Sequence, residues 1–141
     1  MSGSIIADTG PLVAYLDKRD EFHDWAKEQM RDFTEPLISC EAVVAEALFL
    51  LRRGGIDPLL LLQLVERGIV VISIRLDEEI AALRKLIARY SSVPMALADA
   101  CLVRLSEIHE QCTVWTIDSN FTIYRRNGRR QIPLLMPPAK D

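Results

Sequence analysis

Short apolar runs rich in β-branched residues alternate along this chain with longer stretches of helical periodicity, and that alternation limits the fold more than any other feature. Ile5-Ile6-Ala7 leads into Asp8-Thr9-Gly10-Pro11 and then Leu12 to Leu16. An apolar run ending in a turn, with a proline suited to a helix N-terminus, reads as strand then helix. Asp20 to Phe33 reads as a polar helix and Pro36-Leu37-Ile38 as a short strand. Ser39 is placed to cap a helix from Cys40 to Arg53, with Glu41 in its first turn and Gly54-Gly55 at its end. Asp57-Pro58 opens a helix through Val65 that Gly68 stops, and Ile69 to Ile74 reads as a strand buried on both faces. Asp77 is expected to cap a helix carrying Ile80, Leu83, Ile87 and Tyr90 on one face. Pro94 starts a helix through Ile108, and Val114 to Ile117 and Ile132 to Leu135 read as the last strands. Strands alternating with helices imply an α/β fold, a three-layer α/β/α sandwich around a mainly parallel central sheet.

A chain of 141 residues suits one domain, residues 1–141, with its own core. Its apolar runs stop well short of the roughly 18 residues that span a membrane. Met1-Ser2-Gly3-Ser4 has no positive n-region, so the sequence predicts a cytoplasmic protein. Cys40, Cys101 and Cys112 are odd in number and lack C-x-x-C spacing, and His23 and His109 lie far apart. Neither a disulfide framework nor a zinc site is suggested, and the cysteines read as buried thiols. The net charge of −3 counts against non-specific coating of nucleic acid. Arg125-Arg126-Asn127-Gly128-Arg129-Arg130 still allows local phosphate contact.

Four carboxylates stand out. In a parallel sheet, ligands bind beyond the carboxyl ends of the strands. Asp8 and Asp118 each follow an apolar strand run, so each either caps the next segment or projects into a site at that edge. Glu46 lies within Ala42-Val43-Val44-Ala45-Glu46-Ala47-Leu48-Phe49, read as a helix apolar nearly all round. Asp99 lies within Met95-Ala96-Leu97-Ala98-Asp99-Ala100-Cys101-Leu102. No lysine or arginine stands one turn from either acid, so local ion pairs do not offset the cost of burial. A distant arginine, a raised pKa, or a divalent cation shared by all four acids each answers that cost.

The segments Asp8-Thr9-Gly10-Pro11-Leu12-Val13-Ala14, the helical Glu46, Pro94-Met95-Ala96-Leu97-Ala98-Asp99-Ala100 and Thr116-Ile117-Asp118-Ser119-Asn120-Phe121 resemble, in order and spacing, the four acidic motifs of PIN domains. The likeness is strongest to VapC-type toxins of bacterial toxin–antitoxin pairs and covers residues 4 to about 136. It implies a Mg²⁺- or Mn²⁺-dependent endoribonuclease that leaves a 5′-phosphate and a 3′-hydroxyl. It also implies a homodimer, with a small antitoxin as partner. Asp8, Glu46, Asp99 and Asp118 are then the catalytic and metal-binding set, with Thr9, Thr116 and Asn120 in supporting positions around them. Many relatives carry a further aspartate where this chain has Ala96, and some carry a second acid near Asn120; those differences bear on how many ions the site takes.

Arg125, Arg126, Arg129 and Arg130 follow Asp118 closely and either hold an RNA backbone or form a solvated loop. Trp25 and Trp115 fit core packing better than base stacking. Leu48 to Leu51 and Leu59 to Leu62 carry more leucine than one helical face needs, through burial all round or through a partner. A phosphoacceptor receiver domain needs an acidic partner beside Asp8 and a late lysine on the sheet, and the chain offers only Lys140 in its tail. DNA-directed nucleases of related fold carry long insertions for which this length leaves no room. A catalytically inactive RNA-binding or interaction module of PIN type is the remaining alternative.

Overall fold

The computed structural model describes residues 3–139; Lys140, on which the receiver-domain comparison turns, lies outside them. The strands are β1 (Ser4–Ala7), β2 (Leu37–Ser39), β3 (Val70–Ile72), β4 (Cys112–Trp115), β5 (Arg125–Arg126), β6 (Arg130–Gln131) and β7 (Leu134–Leu135). The helices are α1 (Thr9–Leu16), α2 (His23–Asp32), α3 (Glu41–Arg53), α4 (Leu59–Glu66), α5 (Ile80–Arg89) and α6 (Leu97–Ile108). Five strands form one parallel sheet in the order β3-β2-β1-β4-β7, flanked by helices as the α/β alternation predicts. β1 is central, with Ile6 fully buried between Ile38 of β2 and Val114 of β4. α6 packs on β1 and β4, and it buries residues on nearly every side from Ala98 to Ser106. Among the described residues no helix is long and apolar enough to cross a membrane.

Several elements differ from the sequence expectation. Ser39 ends β2 and its hydroxyl donates to the Ala7 carbonyl at 2.8 Å, so Cys40 takes the N-cap position of α3 without a side-chain bond. β3 is an edge strand with Val71 39% exposed, so burial on both faces fails there. α5 begins at Ile80 behind Glu79, because Asp77 is turned to pair with Arg75 at 3.1 Å. α6 begins at Leu97: Val93-Pro94 is a cis peptide and Ala96 is extended at the N-cap. α4 buries Leu61 and Leu64 but leaves Leu59, Leu60 and Leu62 exposed, with Phe49 of α3 62% exposed. Burial all round therefore does not explain the leucines. The cysteines are buried and free, and Trp115 is buried against Phe33 and Trp25.

The arginine stretch is an antiparallel hairpin, β5-β6, turned by Asn127 (φ 51°) and Gly128 (φ 83°). Arg126 pairs with Arg130, so the loop is three residues long, and asparagine and glycine are the residue types that best tolerate its two positive φ angles. Arg126 is 1% exposed, and its Nη2 donates to the Glu110 carbonyl at 2.9 Å and to Glu110 Oε2 at 3.3 Å. Its guanidinium is turned inward onto Glu110 and pins the hairpin beyond the end of α6, whereas an RNA contact was expected to present it to solvent. Truncating a buried, hydrogen-bonded guanidinium is expected to cost about 2–3 kcal/mol. Arg126→Ala should show that loss in urea denaturation, while exposed Arg129→Ala stays within about 0.5 kcal/mol of the parent.

Candidate active site

β1 leads the chain to one side of the sheet through β2 and β3, while β4 and β7 lie on the other. The strand order therefore reverses between β1 and β4, the place where open parallel sheets form a crevice at their carboxyl ends. Asp8 follows β1, and Thr116 and Asp118 follow β4. The Asp8 amide donates to the Trp115 carbonyl at 3.0 Å, which continues the ladder to the lip of the crevice. Gly10 lets α1 close down on the β4 loop, since a Cβ there would sit 3.3 Å from the Ile117 side chain.

Asp8 caps α1 and lines the lip of the crevice. It is 6% exposed, and its Oδ1 accepts the Thr9 amide at 2.8 Å at the N-terminus of α1. Its Oδ2 accepts the Thr116 hydroxyl at 2.7 Å, and Thr116 Oγ in turn accepts the Asp118 amide at 2.9 Å. Asp118 caps the 3-10 turn Ser119–Thr122, accepting the Asn120 amide on Oδ1 at 2.9 Å. Asp99, half-buried in the first turn of α6, accepts the Ala96 amide at 3.2 Å and the Tyr124 hydroxyl at 3.1 Å, both on Oδ2. All three aspartates thus sit at helical N-termini, where the orphan amides and the dipole favour negative charge.

The three acids act on one another. Burial pushes the Asp8 carboxyl up to about 6; the Thr116 and Thr9 hydrogen bonds pull it down, and the charges of Asp99 and Asp118 push it up again. Asp99 is also raised, by burial first and by Asp118, against the pull of Ala96 and Tyr124. The Tyr124 phenol is raised by its own burial and by Asp99, Asp118 and Asp8, which keeps it protonated as a donor to Asp99. Tyr124 is fully buried and braced edge-on by Tyr90 and Phe121, with ring centroids at 5.1 and 5.2 Å. Sequence reading missed this role; the only signal is an aromatic residue shortly after Asp118.

Other expected residues are placed differently. Glu46 is exposed: α3 turns Val43, Ala47 and Leu51 to the core, and Glu46 shares the outer side with Phe49. The argument from a buried carboxylate therefore does not apply to it. Thr9 serves Asp8 through its amide, while its own Oγ1 is buried without a partner among the described residues. Asn120 also contributes a backbone amide. Arg125 spends Nη1 on the carbonyls of Thr122, Ile123 and Tyr124, and Arg130 pairs with Glu110 at 2.8 Å.

A divalent ion can be tested against these residues. The donors are hard carboxylate oxygens, no Lys or Arg bonds to any of the three aspartates, and Asp99 Oδ1 and Asp118 Oδ2 take no hydrogen bond among the described residues. The orphaned Thr9 Oγ1 beside Asp8 adds a buried polar atom. That set suits Mg²⁺ or Mn²⁺. Among the described residues, though, no three His, Cys, Asp or Glu side chains stand close enough to hold an ion as they are. The aspartates share a field without yet converging on one point.

The chain matches the family described as PIN domain over residues 5–127. No curated protein matches it significantly in sequence. Among solved structures it resembles Mycobacterium tuberculosis VapC20, described as a sarcin-ricin loop cleaving toxin. The two share 20% identity with a TM-score of 0.75, over 85% of this chain and 94% of that one.

A neutral Asp8 favours the fold and an ionised one opposes it. Its contribution is full below the ordinary value of 3.8 and lost as pH rises through about 6, a difference on the order of 3 kcal/mol. In EDTA, Asp8→Asn is expected to exceed the parent in stability by about 1–3 kcal/mol at pH 7.5 and to match it at pH 4. Urea denaturation at the two pH values checks this; equal stability at pH 7.5 would show that Asp8 carries no burial penalty.

Proposed function

The chain belongs to the PIN domain family, and on that premise we propose that it is a metal-dependent endoribonuclease hydrolysing RNA phosphodiester bonds, the toxin of a VapBC-type toxin–antitoxin pair. The observation that carries the reading is the gathering of Asp8, Asp99 and Asp118 at the β1–β4 crevice, each hydrogen-bonded only by neutral donors. Buried or half-buried carboxylates grouped without a lysine or arginine partner cost stability in a folded protein unless a cation offsets them.

Asp8, Asp99 and Asp118 would hold the ion, with Glu46 reaching it from the outer side of α3 through water. Mg²⁺ or Mn²⁺ bound there would supply Lewis acidity to a phosphoryl oxygen and acidify a water near neutral pH. The chain's own part is preorganisation. Thr116 fixes Asp8 and the Asp118 loop in one geometry, and Tyr124 and the Ala96 amide hold Asp99 by one oxygen, leaving the other without a hydrogen bond among the described residues. Carboxylates fixed this way lose little freedom when they take up charge. With an ion held there, the same carboxylates would offer an acceptor for a proton from water. The exposed leucines of α4 and Phe49 of α3 support the proposed homodimer and antitoxin contacts, since patches of this kind mark association surfaces.

Purified protein incubated with mixed RNA should cleave in Mn²⁺ or Mg²⁺ and stop in EDTA. Asp99→Asn should lose about 100-fold or more in rate, and Glu46→Gln only about tenfold. Cleavage surviving both EDTA and Asp99→Asn would belong to another nuclease and leave the proposal without support. Failure to bind Mn²⁺ at all would favour the inactive module.

A further inference from the structure

A groove of about 450 Å³ lies between the end of α1 and one face of α2, away from the aspartates. His23, Lys27 and Arg31 line it from α2, at positions i, i+4 and i+8. Helical geometry sets such a column at steps of about 6 Å. Lys18, from the loop joining the two helices, lines the same groove, and Tyr15 and Met30 supply apolar surface. Lys18, Lys27 and Arg31 are exposed and make no ion pair or hydrogen bond among the described residues. His23 Nδ1 bonds to the Ala14 carbonyl at 2.8 Å, which makes Nδ1 the donor and holds the ring between the helices. The acids of the same helix, Asp24, Glu28 and Asp32, form the adjoining column about 100° round, and no carboxylate lines the groove.

We propose that this groove holds the backbone of the RNA strand whose scissile bond lies at the aspartates, with Lys18, Lys27 and Arg31 on successive phosphates and Tyr15 against a base. The inference rests on the endoribonuclease reading for the nature of its occupant. Three observations favour a nucleic-acid strand over an acidic peptide. Lys27 and Arg31 stand one turn apart on α2, about 6 Å, a step an extended strand can follow, and Lys18 lines the same groove from the loop. The aromatic surface beside them suits sequence-tolerant stacking. Of the arginines first expected to bind RNA, Arg126 and Arg125 bond to backbone carbonyls and Arg130 pairs with Glu110, which leaves exposed Arg129 alone without a side-chain partner among the described residues, so a longer strand contact needs a further basic surface. In a chain of net charge −3 that contact needs a local basic surface. α1 connects the two places: Asp8 caps its N-terminus and Tyr15 lies seven residues on, about 10 Å along the axis. A strand has to extend past the cleaved bond to reach the groove.

The test measures binding of labelled single-stranded RNA between about 50 and 200 mM salt, with Asp99→Asn as the background to silence cleavage. Adding Lys18→Glu, Lys27→Glu and Arg31→Glu should weaken binding at least tenfold at low salt. It should also flatten the log–log salt slope by about 2, at roughly 0.7 per phosphate contact. Arg67→Glu, an exposed charge reversal at the end of α4, should leave the slope unchanged, and circular dichroism should show every variant folded. An unchanged slope in the triple variant, an equal effect of Arg67→Glu, or no RNA binding by the background protein would each overturn the assignment. So would a polyglutamate peptide that occupies the groove and resists displacement by RNA. The endoribonuclease reading is scored separately, by metal-dependent cleavage with Asp99 intact. Cleavage without groove-dependent binding sinks the groove alone, and groove-dependent binding without cleavage sinks the nuclease alone.

Discussion

The Thr116 hydroxyl donates to Asp8 and accepts the Asp118 amide, tying together the loops that leave the two central strands. The hydroxyl is fully buried and the Asp8 carboxylate nearly so, and the parallel β1–β4 pairing brings them together across 108 residues of sequence. Sheet order, the reversal point and the site are therefore one arrangement. If β4 slipped by one residue against β1, Thr116 would turn to the other face of the sheet and Asp8 would lose its strongest side-chain partner.

The same arrangement carries an electrostatic cost. Asp8 follows the buried apolar run Ile5-Ile6-Ala7, and burial is the largest influence on its pKa. Helix N-termini offset part of that cost without spending a lysine or arginine, which would compete with a divalent cation for the carboxylates. Tyr124 stabilises Asp99 with a neutral hydroxyl in the same way. Every partner of the three acids is thus a neutral donor, so the negative field stays open toward the crevice.

Much of this was legible in the sequence. The parallel α/β architecture followed from the apolar runs, because period and length separate strands of this kind from amphipathic helices. Asp8, Asp99 and Asp118 followed from their places at strand ends and within an apolar helix. What misled was local logic applied to tertiary questions. Glu46 looked hardest to excuse because its neighbours are apolar, yet part of that apolar surface is exposed in the fold. Asp8 looked easiest to excuse as a cap, and it is a cap, but also the most buried acid of the three. The arginine stretch read as a charged loop, although Asn127-Gly128 is a hairpin signal. Burial of Arg126 depends on the Glu110 carbonyl beyond α6, which no spacing rule reaches. Tyr124 was hidden for the same reason: its partner Asp99 lies 25 residues away.

The proposed function requires that Asp8, Asp99 and Asp118 make one cation site. Calorimetric titration of Mn²⁺ into the metal-free protein at pH 7.5 addresses it directly, with Asp8→Asn, Asp99→Asn and Asp118→Asn titrated alongside. The account predicts binding by the parent and at least a tenfold loss of affinity in each variant. A parent that binds no divalent ion, or variants that bind as tightly as the parent, would contradict it.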